Sequence, residues 1–257
     1  MTNSCPHLLE IALLGRTWRI ERPASLEELW DRLAAEDDPP RSGAAHSPLD
    51  PDEDLTINMA DVVRGFENDD RIPYWTEIWP AGIALAEWLG ERPKNIAGRK
   101  SLDLGCGLGL SAIVGAACGA RVLGMDYEPL ALYYARRNQQ ANLGTLEPEA
   151  DNLQFVAADW RKPCFKPGVF ETIWAGDIMY ERRFMEPVAR FIRHSLAPGG
   201  RVWIAEPGRG IYPLFAQNMQ AGGWRADIIA RKQARLPGGS AAFADIQIWE
   251  LARKNQP

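Results

Sequence analysis

A short glycine-rich stretch is the part of this sequence best suited to bind a ligand. Residues 102–109 read LDLGCGLG, an apolar run that passes into a loop. Glycine lets a backbone turn sharply and approach a ligand closely. The loop glycines are Gly105, Gly107 and Gly109. Their spacing is G-x-G-x-G, and Leu110 stands where the dinucleotide fingerprint requires its third glycine. The stretch therefore predicts a cofactor loop that is not a pyrophosphate cradle.

Acidic residues near the ends of three apolar runs indicate which ligand this is. Asp103, just before the first loop glycine, would attract an ammonium group and repel a diphosphate. Asp126 ends the second run, 17 residues after the last loop glycine, where an acid can accept both ribose hydroxyls, and Tyr127 can flank an adenine. Asp159 and Trp160 offer a carboxylate for the adenine amino group and an indole for stacking. A nucleoside with an ammonium group fits all of them, so we expect S-adenosylmethionine as the cofactor.

A structural explanation competes with this one, since tight turns need glycine and strand-end aspartates cap helices. The elements around the motif favour the functional explanation. After Gly98, short apolar runs alternate with helical patterns, which is typical of a parallel sheet covered on both faces. The predicted strands are 101–105, 120–126, 153–159, 170–177 and 200–206. The carboxyl ends of such strands are where ligands bind in open α/β sheets.

The last two β-rich runs, 224–234 and 241–251, are separated by a connection too short for a helical crossover. They should pair antiparallel at one edge, unlike the all-parallel sheets of dinucleotide dehydrogenases. We therefore predict an α/β fold with a doubly wound, mostly parallel seven-stranded sheet and a C-terminal antiparallel hairpin.

The N-terminal part predicts a small extension packed against this sheet. Residues 8–22 have the pattern of a strand pair or of a strand and turn, and 25–37 that of a helix that begins with a capping box. An acidic, proline-rich linker follows, and 72–89 then end in a helical pattern. We divide the chain into an extension and linker, 1–54, and a cofactor-binding domain, 55–257.

Composition limits the possible partners and the compartment. A net charge of −5 gives no attraction to phosphate backbones or anionic lipids, so we expect neither a nucleic acid nor a membrane as partner. The four cysteines show no CxxC spacing, and the three histidines are scattered, so no metal site is predicted. Cysteines of this kind are typical of reduced thiols in the cytoplasm. The oligomeric state stays open.

LDLGCGLG together with Asp126 resembles the first two motifs of the class I, seven-β-strand S-adenosylmethionine-dependent methyltransferases, over about residues 73–251. PYWTEIWPAGIALAEWL, AADW and DIMY resemble the branch that contains many protein-lysine methyltransferases. The resemblance implies that Trp160 lies beside the adenine, that Gly176 lines the cofactor pocket, and that Asp177 and Tyr180 border the methyl-transfer site. EPGR, residues 206–209, is similar to a stretch of the electron-transfer-flavoprotein β-subunit lysine methyltransferases and their bacterial relatives. In those proteins the stretch usually starts with Asp, whereas here it starts with Glu.

Methyl transfer from a sulfonium is an in-line displacement, so the enzyme chiefly holds the acceptor close to the methyl group. A lysine acceptor must first lose a proton, and Asp177 can position its ammonium while water removes that proton. Tyr180 and a tryptophan, Trp75 or Trp79, could wall the amine, and Trp79 is also a candidate for contact with the cofactor. In a structural explanation, Asp177 caps a helix, Tyr180 is packed, and most of the ten tryptophans are core.

Three hypotheses about function follow. The leading one is a protein-lysine N-methyltransferase with a protein substrate. The second is an N-methyltransferase that acts on a small amine. The third is a non-catalytic S-adenosylmethionine-binding protein, since an intact cofactor loop would serve binding alone.

Overall fold

The computed structural model describes residues 7–23, 28, 73–144, 152–235 and 242–254. Within these residues the chain forms a two-stranded hairpin and a seven-stranded sheet. The strands are β1 (His7–Leu13), β2 (Arg16–Arg22), β3 (Lys100–Leu104), β4 (Arg121–Asp126), β5 (Leu153–Ala157), β6 (Phe170–Gly176), β7 (Leu196–Glu206), β8 (Trp224–Arg235) and β9 (Phe243–Arg253). The predicted sheet of seven strands is confirmed.

The sheet has the order β5-β4-β3-β6-β7-β9-β8. The strands from β5 to β7 are parallel, while β9 pairs antiparallel with both β7 and β8. The predicted antiparallel C-terminal pair is therefore confirmed, with β9 placed inside the sheet and β8 at its edge. The strand order reverses between β3 and β6, and the carboxyl ends at such a reversal form the usual ligand crevice of doubly wound sheets.

Five helices of eight residues or more cover the sheet within the described residues. They are α1 (Pro80–Gly90), α2 (Leu110–Ala117), α3 (Pro129–Leu143), α4 (Met185–Ser195) and α5 (Ile211–Ala221). One buried cluster packs α1, α2, α3 and the hairpin against one sheet face, and a second packs α4 and α5 against the other. None of these helices is long and apolar enough to cross a membrane.

Strand β3 shows how the alternation of side chains serves both faces. Leu102 and Leu104 are fully buried on the side of α4 and α5. Ser101 and Asp103 lie on the opposite face, where the Ser111 hydroxyl at the start of α2 donates to Asp103 Oδ2 over 2.6 Å. The strand therefore needs apolar residues on one face and tolerates polar ones beneath α2, because Ser101 and one oxygen of Asp103 are hydrogen-bonded.

The predicted strand pair at 8–22 is confirmed as the β1-β2 hairpin, which packs on α3. The predicted helix at 25–37 and the linker after it lie outside the described residues, apart from Glu28, so the domain boundary at 54/55 stays a prediction. Every strand of the sheet differs from its predicted bounds at one end or both, and two of these differences bear on the site or the sheet. β5 ends at Ala157, which leaves Asp159 and Trp160 in the following turn, and β7 begins at Leu196.

Candidate active site

The glycine loop turns over the ends of β3 and β4. Gly105, Gly107 and Gly109 have φ angles of 71°, 51° and 87°, a region that residues with a Cβ rarely adopt. The amide N–H groups of Gly105 and Cys106 both donate to the carbonyl oxygen of Met125, over 2.8 and 3.0 Å. A Cβ on Gly105 would lie 2.8 Å from Ile178 Cγ2. Glycine is thus required here both for the backbone turn and for the approach of the neighbouring loop.

Asp126 connects this loop to the end of β4. Its Oδ2 accepts the N–H of Gly107 over 2.8 Å, and its Oδ1 accepts the N–H of Glu128 over 3.1 Å. Burial raises the pKa of Asp126, while these backbone bonds act in the opposite direction. Each carboxylate oxygen keeps a second lone pair, so the group can still accept two hydroxyls. Tyr127 is 40% exposed, and the guanidinium of Arg161 lies 5.6 Å from its ring centroid.

Asp103 lies deeper, beneath the loop, and is 1% exposed. Burial raises its pKa to about 7, opposed by the hydrogen bond from Ser111. The Trp174 side chain and the Ala112 backbone also act to lower this pKa, although no donor among the described residues lies within hydrogen-bond distance of the second, buried oxygen, Oδ1. Such an acceptor suits an ammonium group. A ligand with an ammonium group and a ribose diol therefore matches the acceptors that Asp103 and Asp126 offer.

The turn after β5 holds two further predicted residues. The carboxylate of Asp159 is engaged by Arg161, whose Nε lies 3.0 and 2.8 Å from its two oxygens. Trp160 is half-buried, and its Cζ3 would lie 3.5 Å from a Cβ on Gly105. The indole is thus next to the glycine loop, whereas the acid already has a partner.

Five aromatic side chains form a continuous row that begins beside this loop. We call Trp160, Phe184, Tyr180, Tyr74 and Trp79 the aromatic row. Successive ring centroids are 5.5, 5.2, 4.7 and 5.8 Å apart. The indole N–H of Trp79 donates to the carbonyl oxygen of Tyr74 over 2.8 Å. Burial, followed by the charges of Glu181 and Asp126, raises the pKa of Tyr180 to about 12.

Sequence reasoning missed Tyr74 and Phe184. Tyr74 lies within the PYWTEIWP stretch noted for its resemblance, whereas nothing in the sequence marks Phe184, which reaches the row from a 3₁₀ turn at Arg182–Phe184. Trp75, the other tryptophan considered, packs on Tyr134 with centroids 6.1 Å apart, on the side of the core. Its backbone lies 3.8–3.9 Å from a Cβ built on Gly107.

Asp177 follows β6 with a φ of 50°, and its side chain is 5% exposed. Both of its oxygens accept hydrogen bonds from Arg209, from Nε over 2.7 Å and from Nη2 over 2.8 Å. It caps no helix among the described elements, since α4 begins after Phe184. Arg209, which sequence reasoning noted only within EPGR, is therefore the partner of the predicted catalytic acid.

Gly176 allows a helix to approach the site. A Cβ there would lie 3.2 Å from the backbone of Gly82, in the first turn of α1. This contact determines how closely α1 packs against the end of β6. Trp79 is the N-cap residue of α1. The role of Gly176 in lining a cofactor pocket stays a prediction.

Comparison with known proteins agrees with this geometry. Residues 102–200 match the family model described as a methyltransferase domain. Precorrin-6y C5,15-methyltransferase from Geobacter metallireducens has a similar structure, with a TM-score of 0.50 and 13% identity over 67% of this chain and 89% of that one. The structure of P. horikoshii TYW2 in complex with MeSAdo is also similar, with a TM-score of 0.51 and 13% identity. The match covers 69% of this chain and 65% of that one. At such identities the structural likeness shows the fold.

Curated relatives include a lysine methyltransferase. The electron transfer flavoprotein beta subunit lysine methyltransferase of Danio rerio is 34% identical over 140 residues, 53% of this chain and 51% of the relative. The ribosomal protein L11 methyltransferase of Burkholderia cenocepacia is 25% identical over 184 residues, 71% of this chain and 49% of that protein. The chain thus spans about half the length of the curated relatives it matches.

Residues 102–200 thus match a methyltransferase domain, within a fold that a methyltransferase of known structure shares. The predicted resemblance, fold class and cofactor are confirmed. Among the relatives, lysine methyltransferases of the electron transfer flavoprotein beta subunit are 29–34% identical to the matched part.

Proposed function

We propose that this chain transfers a methyl group from S-adenosylmethionine to a lysine side chain of a protein. The observation that carries the proposal is the aromatic row, which begins beside the glycine loop and passes through Tyr180, three residues after the buried acid Asp177. Aromatic faces beside a cofactor loop suit a cationic or apolar amine acceptor. The names of the lysine methyltransferase relatives support the same acceptor.

The loop residues account for holding the cofactor. When bound, S-adenosylmethionine supplies an activated methyl group on a sulfonium. In our proposal, Asp126 accepts the ribose hydroxyls, Asp103 accepts the ammonium group, and the glycine loop lets the backbone come close. Trp160 offers its indole face to the adenine. Tyr127 and Asp159 keep the roles predicted for them, beside the adenine and at its amino group.

The acceptor side of the proposal rests on charge and on aromatic faces. Rings of the row would attract a lysine ammonium, by about 0.5–2 kcal/mol each when desolvated. Asp177 would hold that ammonium by a hydrogen bond, while water takes the proton that must leave before transfer. With its pKa raised to about 12, Tyr180 keeps its proton at neutral pH, so it serves as a hydrogen-bond donor and a wall, and not as the base.

The exposure of the row favours a protein substrate over a small amine. Tyr180, in the middle of the row, is 37% exposed and the other four rings are half-buried, so the row reaches the surface. A side chain that projects from another protein can reach such a surface, whereas small ligands are usually enclosed on most sides. This observation supports the lysine hypothesis.

The test is transfer of tritiated methyl from S-adenosylmethionine by the purified chain. Three acceptors would be offered: recombinant electron transfer flavoprotein beta subunit, ribosomal protein L11 and a small-molecule extract. We compare wild type with Asp177→Asn and with the control Asp227→Asn, an exposed acid on β8. The proposal expects label on lysine of a protein, retained in the control and reduced about 100-fold or more in Asp177→Asn.

Other outcomes would replace the proposal. Label found only among small molecules would indicate an amine N-methyltransferase. Cofactor binding without transfer to any acceptor would indicate a binding protein. Transfer unaffected by Asp177→Asn would contradict the role assigned to Asp177, although not the reaction.

A further inference from the structure

The most tightly organised polar contact at the site joins two loops that are distant in sequence. Arg209, in the turn after β7, donates from Nε and Nη2 to the two oxygens of Asp177, in the turn after β6. The carboxylate is 5% exposed and the guanidinium 38% exposed, so the arginine reaches the acid from the solvent side. A two-point contact of this kind fixes orientation as well as distance.

Arg209 itself is held by a second buried acid, Glu206. Glu206 is 1% exposed, and its Oε2 accepts the N–H groups of Gly208 and Arg209 over 2.6 and 2.7 Å. Its Oε1 accepts the indole N–H of Trp249, on β9, over 3.0 Å. The backbone that carries the guanidinium is therefore anchored to the neighbouring strand, and the arginine is directed toward Asp177 by the fold.

The backbone of Asp177 needs such support. Its φ of 50° lies in the left-handed region, which is unfavourable for a residue with a Cβ. Its N–H donates to the carbonyl oxygen of Ala205, on β7, over 2.9 Å. Strained residues persist where surrounding contacts over-determine them, and they cluster at functional sites.

We infer that Arg209 is a positioning residue for methyl transfer, which holds the Asp177 carboxylate in a fixed orientation toward the incoming amine. The inference rests on the proposed function. Arg209 uses one lone pair on each oxygen of Asp177, so the carboxylate can still accept a hydrogen bond from the acceptor. Glu206 acts one step further away, by fixing the turn that carries Arg209.

Removal of the guanidinium has a specific geometric consequence. Arg209 donates to both oxygens of Asp177 and so fixes the plane of the carboxylate. Without these two hydrogen bonds the carboxylate can turn away from the incoming amine, so the acceptor would be held less well in line for transfer.

The experiment compares Arg209→Met and Arg209→Lys with the control Arg201→Met. Arg201 also makes two hydrogen bonds to one carboxylate, over 3.2 and 3.0 Å to Glu250, but lies in the middle of β7, away from the turn that carries Arg209. For each variant, kcat and KM are measured for the acceptor protein labelled by wild type, together with cofactor affinity and the melting temperature.

We expect Arg209→Met to lower kcat/KM for the acceptor about 100-fold, with most of the loss in kcat. Cofactor affinity should stay within about twofold of wild type, because no described contact of Arg209 reaches the glycine loop. Arg209→Lys, which keeps the charge but not the two-point contact, should have a kcat between those of wild type and Arg209→Met.

Other results would overturn the inference. Equal losses of kcat in Arg209→Met and Arg201→Met would show that the pair is only structural, as would an equal loss of cofactor affinity and of kcat/KM in Arg209→Met. If Arg209→Met fails to fold, the kcat of Arg209→Lys decides. Wild-type protein that binds the cofactor but labels no acceptor would overturn the proposed function, and this inference with it.

Discussion

Gly105 shows how a single residue couples backbone geometry to ligand access. Its φ of 71° almost equals the 73° of Gly98, which lies before β3 at the opposite end of that strand. A Cβ on Gly98 would meet nothing within 4 Å, whereas one on Gly105 would press on Ile178 at 2.8 Å. The two positions therefore separate the cost of the backbone conformation from the cost of the contact.

We predict that Gly98→Ala and Gly105→Ala each lose about 1–2 kcal/mol of unfolding free energy for the left-handed backbone. Only Gly105→Ala should lose cofactor affinity, about tenfold or more, because the loop must shift away from Ile178. Urea unfolding and calorimetric titration with S-adenosylmethionine would measure both effects. Equal affinities in the two variants would contradict a cofactor role for the loop.

The buried Asp103 should make the stability of the protein depend on pH, because burial raises its pKa from 3.8 to about 7. Between pH 4 and pH 7, Asp103 binds more protons in the folded state than in the unfolded state. Its contribution to the free energy of unfolding is therefore largest below pH 4 and is lost as the pH rises to about 7. From pH 5 to pH 8, wild type should lose about 2–3 kcal/mol of unfolding free energy relative to Asp103→Asn. Denaturant unfolding at several pH values measures this difference.

The same series in Asp227→Asn serves as the control, because Asp227 is exposed on β8. That variant should follow wild type at every pH. A constant difference between wild type and Asp103→Asn would show that Asp103 is ionised throughout this range in the folded protein.

At the scale of elements, helix α3 completes the edges of two β structures. Asn138 and Asn142, one turn apart, pair with the backbone N–H and C=O groups of Glu21 and Arg19 on β2. On another side, Arg136 and Gln139 donate to carbonyl oxygens of β5. Side chains thus satisfy strand edges that would otherwise stay open to further pairing.

Asn138 also reaches the glycine loop. Its Nδ2 donates to the carbonyl oxygen of Leu108 over 3.0 Å as well as to that of Glu21 over 3.1 Å, and its side chain is fully buried. One amide therefore links the N-terminal hairpin to the cofactor loop. This contact crosses the predicted division between the extension and the cofactor domain.

We predict that Asn138→Leu costs about 3 kcal/mol, because three buried backbone groups lose their partner. Asn142→Ala, whose amide pairs with Arg19 but not with the loop, should cost only about 1 kcal/mol. Hydrogen exchange should become faster in residues 16–22 in both variants, and in residues 105–110 only in Asn138→Leu. Loop exchange that matches in the two variants would show that the hairpin does not support the loop.

The sequence predicted the elements better than the contacts between them. Apolar runs and their spacing locate the strands, since period and burial are local properties. The ion pair between Asp177 and Arg209 spans 32 residues and depends on β6 and β7 lying side by side, so no local pattern reveals it. Phe184 joins the aromatic row only because a short turn folds back against Trp160.

At the scale of the whole molecule, the site lies where the two buried clusters meet. Asp103 faces the cluster beneath α2, whereas Trp160 and Ile178 belong to the cluster with α4 and α5. The proposed cofactor residues come from the ends of β3 and β4 and from the turn after β5. These residues converge only when the sheet is intact, so a ligand bound to them would stabilise the sheet as a unit.

We therefore predict a rise in melting temperature with S-adenosylmethionine. At a concentration of about 100 times Kd, binding adds about 2.7 kcal/mol, which for a chain of this size is about 5–10 °C. S-adenosylhomocysteine should act similarly, whereas NAD should not, because Asp103 repels a diphosphate and the loop lacks the dinucleotide spacing. Asp126→Asn should lose most of the shift, since it removes a charged acceptor for both Gly107 and the ribose. Thermal unfolding with each ligand measures this, and an equal shift with NAD would contradict the proposed use of Asp103 and Asp126.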